Sequence, residues 1–245
     1  MSGHSKWHNI QAHKSVQDAK KSKFFTKVTK ELMLAAKAGG ADTALNTRLK
    51  SAIAAAKAVN LPKDKIEQAI KKGTGELVGE CLDEVLYEGY GPGGVALLIE
   101  AATDNRNRTV AEVRHLLAKG GGAMGESGCV GWMFSKKGIF SFPKAQFTED
   151  QLMEIGLENG VEDITDEDDV WEVHCAPEDF DALSRAFEAA GIVSDDAEVS
   201  MVPSTTVALD EENGQKLLRL VDNLEDNDDV QKVHTNGDLP DSMLG

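Results

Sequence analysis

Lysines dominate the chemistry this chain can offer. Lys20, Lys23, Lys27 and Lys30 recur at steps of 3, 4 and 3, which places four ammonium groups on one face of a helix. Such a row suits the phosphates of a polyanion. Each phosphate it neutralised would release counterions, so binding would weaken steeply with salt. The same spacing also describes an ordinary solvated helix face. The flanking residues favour contact: Lys6, Trp7, His8, Lys14 and Lys21 lie close by, with His4 and His13 among them. Trp7 has only Ile10 as an apolar neighbour, so its indole would either stack on an unpaired base or anchor the segment to the helices. The candidate nucleic-acid contacts are therefore His4, Lys6, Trp7, His8, His13, Lys14, Lys20, Lys21, Lys23, Lys27 and Lys30. If Lys23 and Lys27 touch phosphate, replacing either with Ala should lower the salt slope by about one.

Other constellations are weaker. His4 and His8 stand four apart, but Gly3 opposes a helix there and no third ligand is fixed nearby, so phosphate contact is expected and metal is not. Asp104-Asn105-Arg106-Asn107-Arg108-Thr109 is a two-arginine loop before a helix in an acidic stretch. Arg106 and Arg108 could receive an anion or a partner there; otherwise they pair with local acids around a capped helix start. Gly89-Tyr90-Gly91-Pro92-Gly93-Gly94 spells GxGxxG, but a strand follows it and Pro92 sits inside, so it is expected to be a hairpin tip and not a cofactor site. The glycine-rich run 120–128 lacks a P-loop ending and is expected to be a surface loop. Ser127 lies in no nucleophile elbow, and no spacing brings Cys129 to His115. The acidic runs 166–169, 195–196 and 226–229 match no calcium loop and are expected to be solvated turns. No catalytic set, cofactor or metal is predicted.

Charge is divided along the chain. Residues 1–72 carry 15 Lys+Arg against 5 Asp+Glu, a balance of +10, and the rest of the chain carries −26. A nucleic acid should meet the basic end and avoid the remainder. No apolar run approaches the ~20 residues of a membrane helix, and residues 1–21 have no apolar signal core. Cys81, Cys129 and Cys175 are odd in number and far apart, as free thiols in a reducing compartment would be. The expectation is a cytoplasmic protein with no membrane contact.

Three helices are predicted to position the lysines. The first covers about 15–38, with Phe25, Val28, Leu32 and Ala35 inward. The second follows an Asp42 N-cap, with Leu45, Leu49, Ile53 and Ala56 inward. The third starts at Pro62 and ends at Gly73, with Ile66 and Ile70 inward. A hairpin is expected over 82–101, a helix over 109–119 and a strand over 129–134. Beyond Lys137 the order is strand, helix, two strands, helix, strand, the split-βαβ plan. A final helix (211–224) and strand (230–234) should return to the sheet of residues 82–134. The predicted fold class is α+β and multidomain. A basic helical domain (1–78) precedes a middle α+β domain (79–136 plus 204–245). A ferredoxin-like βαββαβ domain (137–203) is inserted into the middle one.

GHSKWHNI (3–10), DAKKSKFFTKVTKEL (18–32), NLPKDKIEQAIKKGTGE (60–76), EVLYEGYGPGGVALLIE (84–100), TDNRNRTVAEVRHLL (103–117), GCVGWMFSKKGIF (128–140) and LEDNDDVQKVHTN (224–236) resemble the YebC family across essentially the whole chain. That family includes bacterial proteins described as probable transcriptional regulators and a mitochondrial translational activator of cytochrome oxidase subunit I. The resemblance implies the same three-domain plan and a nucleic-acid-linked role without catalysis. Some members are described as DNA-binding regulators and others as ribosome-associated factors. The expected function is a non-enzymatic, DNA-binding transcriptional regulator, monomeric or weakly dimeric, working with the transcription machinery. One alternative is a translation factor on the ribosome that binds ribosomal RNA through the basic end. Another is a small-ligand or catalytic protein using Arg106 and Arg108.

Overall fold

The computed structural model describes residues 21–79, 81–167 and 169–243; the side chains of Lys21, Ser22 and Asp241 are not described. It is a mixed α+β structure that divides into two compact units. One comprises the described residues up to 131 with 210–235, and the other comprises 132–209 with the described residues from 236 onward.

The first unit begins with α1 (Lys21–Gly39), α2 (Thr47–Ala58) and α3 (Lys63–Gly73). α1 is central and packs against both other helices. Five consecutive residues, Leu32 to Ala36, are buried, so that stretch is covered on every side, as a helix segment that is apolar all round must be. α3 comes closest at Gly73, where a Cβ would lie 2.3 Å from the Met33 carbonyl oxygen; only glycine fits. Leu49, Ala52 and Ala56 of α2 and Ile66 and Ala69 of α3 complete this core, which also takes in Leu82 and Ala102 from the adjoining strands.

The second helix starts later than predicted. Asp42 forms a tight turn, its carboxylate accepting from the Ala44 N–H and its carbonyl from Asn46. Asn46 is the real N-cap: its Oδ1 accepts from the Leu49 N–H at 2.9 Å. Its amide donates to the carbonyls of Ala35 and Gly40, each at 2.8 Å. Leu45 therefore lies outside the helix and is 83% exposed, not part of the inner face.

β1 (Asp83–Tyr90) and β2 (Ala96–Thr103) form the expected antiparallel hairpin. Gly93 and Gly94 take φ of 75° and 79° at its tip, the left-handed region open to glycine. β9 (Val230–Thr235) joins the far side of β2, and the short β3 (Ala123–Met124) joins β1, giving the order β3-β1-β2-β9. α4 (Arg106–Lys119) and α7 (Glu211–Glu225) bury Val113, Leu117, Leu217, Leu220, Val221 and Leu224. The glycine-rich run expected to be a plain loop thus holds a strand. α4 starts three residues early because Asn105 caps it, accepting from the Arg108 N–H.

The second unit holds β4 (Phe134–Pro143), α5 (Glu149–Gly156), β5 (Val161–Glu167), β6 (Val170–Cys175), α6 (Phe180–Ala189) and β7 (Asp196–Pro203). The strands pair antiparallel in the order β5-β6-β4-β7, the order the split-βαβ plan requires. Its core is aromatic: Phe140 stacks on Phe180 at 4.7 Å and Phe142 meets Phe187 edge-on at 4.8 Å. The strand expected over 129–134 does not form before Phe134; Gly131–Met133 is a 3-10 turn and β4 runs on from it. β8 (Val207–Ala208) and β10 (Gly237–Asp238) make a short parallel pair in the same unit. No described helix is long and apolar enough to cross a membrane.

Candidate nucleic-acid interface

The predicted contacts His4, Lys6, Trp7, His8, His13, Lys14 and Lys20 lie outside the described residues, as does the side chain of Lys21. Lys23, Lys27 and Lys30 do share one face of α1, but that face does not look into open solvent. It meets the acidic turn between α7 and β9.

Lys30 is the most enclosed of the three. Its Nζ donates to Asp229 Oδ1 at 2.6 Å, to the Asp228 carbonyl at 2.9 Å and to the Ala102 carbonyl at 3.0 Å. Those three acceptors use all three ammonium hydrogens, and the pair is 14% and 7% exposed. The Lys30 ammonium is thus engaged within the first unit. Lys27 is half-buried, and burial lowers its pKa against the opposing pull of Glu225, Asp226 and Asp228. Lys23 pairs with Asp226 at 3.0 Å near the surface. The spacing rule placed the lysines on one face correctly, but it treated α1 as two-faced. α1 packs on two helices and on strand residues Leu82 and Ala102, so part of that face is covered.

Asp229 is the centre of this contact, and sequence reasoning passed over it as one of several solvated acids. Burial alone would raise its pKa, but hydrogen bonds from Arg108, Lys30 and Thr109 outweigh that and hold it at about 2. Oδ2 accepts from Arg108 Nη2 and from the Thr109 hydroxyl, both at 2.7 Å. Thr103 Oγ1 lies 2.7 Å from the Thr109 hydroxyl and accepts from the Asn105 N–H. Asp229 thus ties α1, the end of β2 and the start of α4 together. Thr109 is 120 residues away in the chain, so no local pattern could announce the pairing.

The arginine loop resolves the same way. Arg108 bridges Asp229 and Asp104, and its pKa is raised by both, Asp229 first. Arg106 pairs with Asp83 at 3.0 Å. Neither arginine is left without a counter-charge.

Glu88 is a second residue that sequence reasoning did not find. Its carboxylate accepts from the backbone N–H groups of Gly128, Val130 and Gly131 at 2.6 to 2.8 Å. Burial opposes its ionisation, yet these three donors hold its pKa below the usual value. A nest of N–H groups that could cradle an anion is filled by the chain's own side chain. Cys175 is buried in the second unit, which pushes its thiol up to about 11. Among the described residues no three His, Cys, Asp or Glu side chains are grouped to hold a metal.

The free positive charge lies elsewhere. Lys50 and Lys57 of α2 and Lys65, Lys71 and Lys72 of α3 are exposed. Among the described residues none of them pairs with a carboxylate, whereas Arg48 is held by Glu31 and Glu84 and Lys63 meets Glu67.

A mixed α+β protein with a basic balance over residues 1–72 is the class that these features define. Residues 5–76 match the family described as TACO1/YebC protein N-terminal domain, and residues 82–237 match TACO1/YebC second and third domain. The chain belongs to the TACO1/YebC family. It is 82% identical over its full length to a probable transcriptional regulatory protein of Solidesulfovibrio magneticus, all of which is covered. It is 59% identical to one from Maridesulfovibrio salexigens, covering 100% of this chain and 98% of the other. A crystal structure of a conserved hypothetical protein from Aquifex aeolicus is similar at a TM-score of 0.81 and 42% identity, over 93% of this chain and 94% of that one.

Proposed function

We propose that this protein is a non-enzymatic, cytoplasmic regulator of gene expression that binds nucleic acid through its basic N-terminal end, in the manner of a DNA-binding transcriptional regulator. One observation carries the proposal: a +10 balance over residues 1–72 on a chain whose remainder is −26. Solubility alone does not require such segregation, and a polyanion must approach the basic end. The names of the relatives, probable transcriptional regulatory protein, point the same way. The pairing of Arg106 and Arg108 with acids weakens the small-ligand alternative, since neither is a spare anion receptor.

In this proposal residues 1–78 are the binding module. Residues 79–136 with 204–245, and 137–203, are acidic modules that face protein partners. Lys6, Lys14, Lys20 and Lys21 contact phosphate, with His4, His8 and His13 as hydrogen-bonding partners and Trp7 stacking on a base. Lys23 stands at the edge of this surface, while Lys27 and Lys30 belong to the interior of the first unit.

The test is titration of the purified full chain into a labelled DNA duplex and a structured RNA of similar length, over a several-fold range of salt. The proposal predicts that log affinity falls linearly with log salt, by about 0.9 for each phosphate neutralised on DNA. Duplex preferred over RNA supports the transcriptional form, and RNA preferred over duplex would turn the proposal toward the translational one. Absence of salt-dependent binding to either would overturn it.

A further inference from the structure

We infer that the lysines exposed on α2 and α3, Lys50, Lys57, Lys65, Lys71 and Lys72, contact the phosphate backbone of a nucleic acid. This rests on the proposed function and assigns it to residues that the lysine row of α1 had obscured.

Elimination comes first. Lys30 of α1 is held by the turn 225–229 through an ion pair and hydrogen bonds, Lys23 pairs with Asp226 near the surface, and Lys27 is half-buried opposite the same acids. A phosphate would have to displace carboxylates already seated at 2.6 and 3.0 Å. The stretch 47–73 nevertheless holds seven Lys or Arg and only two acids, Asp64 and Glu67. Arg48 and Lys63 account for themselves by pairing, and the remaining five cations are exposed with no carboxylate partner among the described residues.

Their placement is also ordered. Lys50 and Lys57 are seven apart on α2, and Lys65 and Lys72 are seven apart on α3. Seven residues are nearly two helical turns, about 10.5 Å along the axis, so each pair lies on one side of its helix. That span equals roughly three base-pair rises of ~3.4 Å. The buried positions Leu49, Ala52, Ala56, Ile66 and Ala69 face the core, leaving these lysines on the flanks of their helices. Lys71 and Lys72 also sit in the last turn of α3, where a cation is favourable against the helix dipole. Lys57 stands in the last turn of α2 in the same way, and that ordinary role does not account for Lys50 or Lys65. Lysines are point charges that position a backbone and do not read bases, so this surface should be indifferent to sequence.

The experiment compares the full chain with a variant carrying Lys50→Ala, Lys57→Ala, Lys65→Ala and Lys72→Ala, and with the matching four-arginine variant. Labelled duplex DNA is the probe, titrated at several salt concentrations. All four positions are exposed, and far-ultraviolet circular dichroism checks that each variant keeps its helices. The expected result is an affinity roughly tenfold or more below the parent in the alanine variant, with a salt slope shallower by about 0.9 for each phosphate no longer neutralised. The arginine variant should bind like the parent. Parental affinity and slope in the alanine variant would overturn this inference while leaving the proposed function standing. Failure of the parent itself to bind would remove both.

Discussion

Asp229 holds Lys30 on one carboxylate oxygen and Arg108 on the other, so its removal takes the counter-charge from the enclosed Lys30 and leaves Arg108 with Asp104 alone. Breaking one side of a buried pair costs about 3–5 kcal/mol. Asp229→Ala should therefore lower stability by roughly that amount in urea unfolding at neutral pH, whereas Lys23→Ala, at an exposed pair, should cost under ~1 kcal/mol. The acid sensitivity has a definite sign. The Asp229 pKa falls from 3.8 in the free side chain to about 2 in the folded chain. The stability it contributes, about 2 kcal/mol, is complete above pH ~4 and lost as the pH falls toward ~2. Urea midpoints across that acid range should show a shallower pH slope in Asp229→Asn than in the parent. Glu88 makes a second residue-scale prediction. Glu88→Ala leaves the N–H groups of Gly128, Val130 and Gly131 without their acceptor, at a cost of about 2–3 kcal/mol. Hydrogen exchange at Val130 and Gly131 should accelerate; unchanged protection there would mean that the carboxylate is not what orders the loop. Neither acid was legible in the sequence. Glu88 satisfies groups at least 40 residues away and Asp229 an arginine 121 residues away, and the neighbours of each carry no trace of the partner.

Most secondary elements were legible because their signals are local. Gly73, the GPGG turn and the capping pair Thr148 and Gln151 each specify the backbone around them, and the structure places an element boundary at each. The misplacements came where two local signals competed. Asp42 and Asn46 are both good caps, and only Asn46 also reaches the end of α1 through Ala35 and Gly40. Those hydrogen bonds decided what local preference left open. Asn46→Ala should therefore cost more than an ordinary cap, about 2 kcal/mol or above, in thermal or urea unfolding. Leu45→Lys, at an exposed position outside α2, should stay within about 0.5 kcal/mol of the parent. A large loss at Leu45 with little at Asn46 would favour a helix start at Asp42. α1 shows the complementary failure. A period of 3.6 tells which residues share a face but not what covers it, and the turn 225–229 covers the lysines.

At the scale of the whole molecule the charge division does not rest on the α1 row alone. The positive balance over residues 1–72 is a property of composition. The structure redistributes it between lysines spent on internal acids and lysines left on α2 and α3. Family membership was legible because seven long motifs span the chain, and the matched residues 5–76 and 82–237 agree with that reach. The target was not legible, since lysine and a short aromatic segment serve DNA and RNA alike. The measurement that tests the central claim most directly is crosslinking in living cells followed by sequencing of the attached nucleic acid, with a variant lacking residues 1–13 as control. Enrichment of promoter DNA that vanishes in the control is the predicted result. Recovery no greater than the control, for DNA and RNA alike, would contradict it.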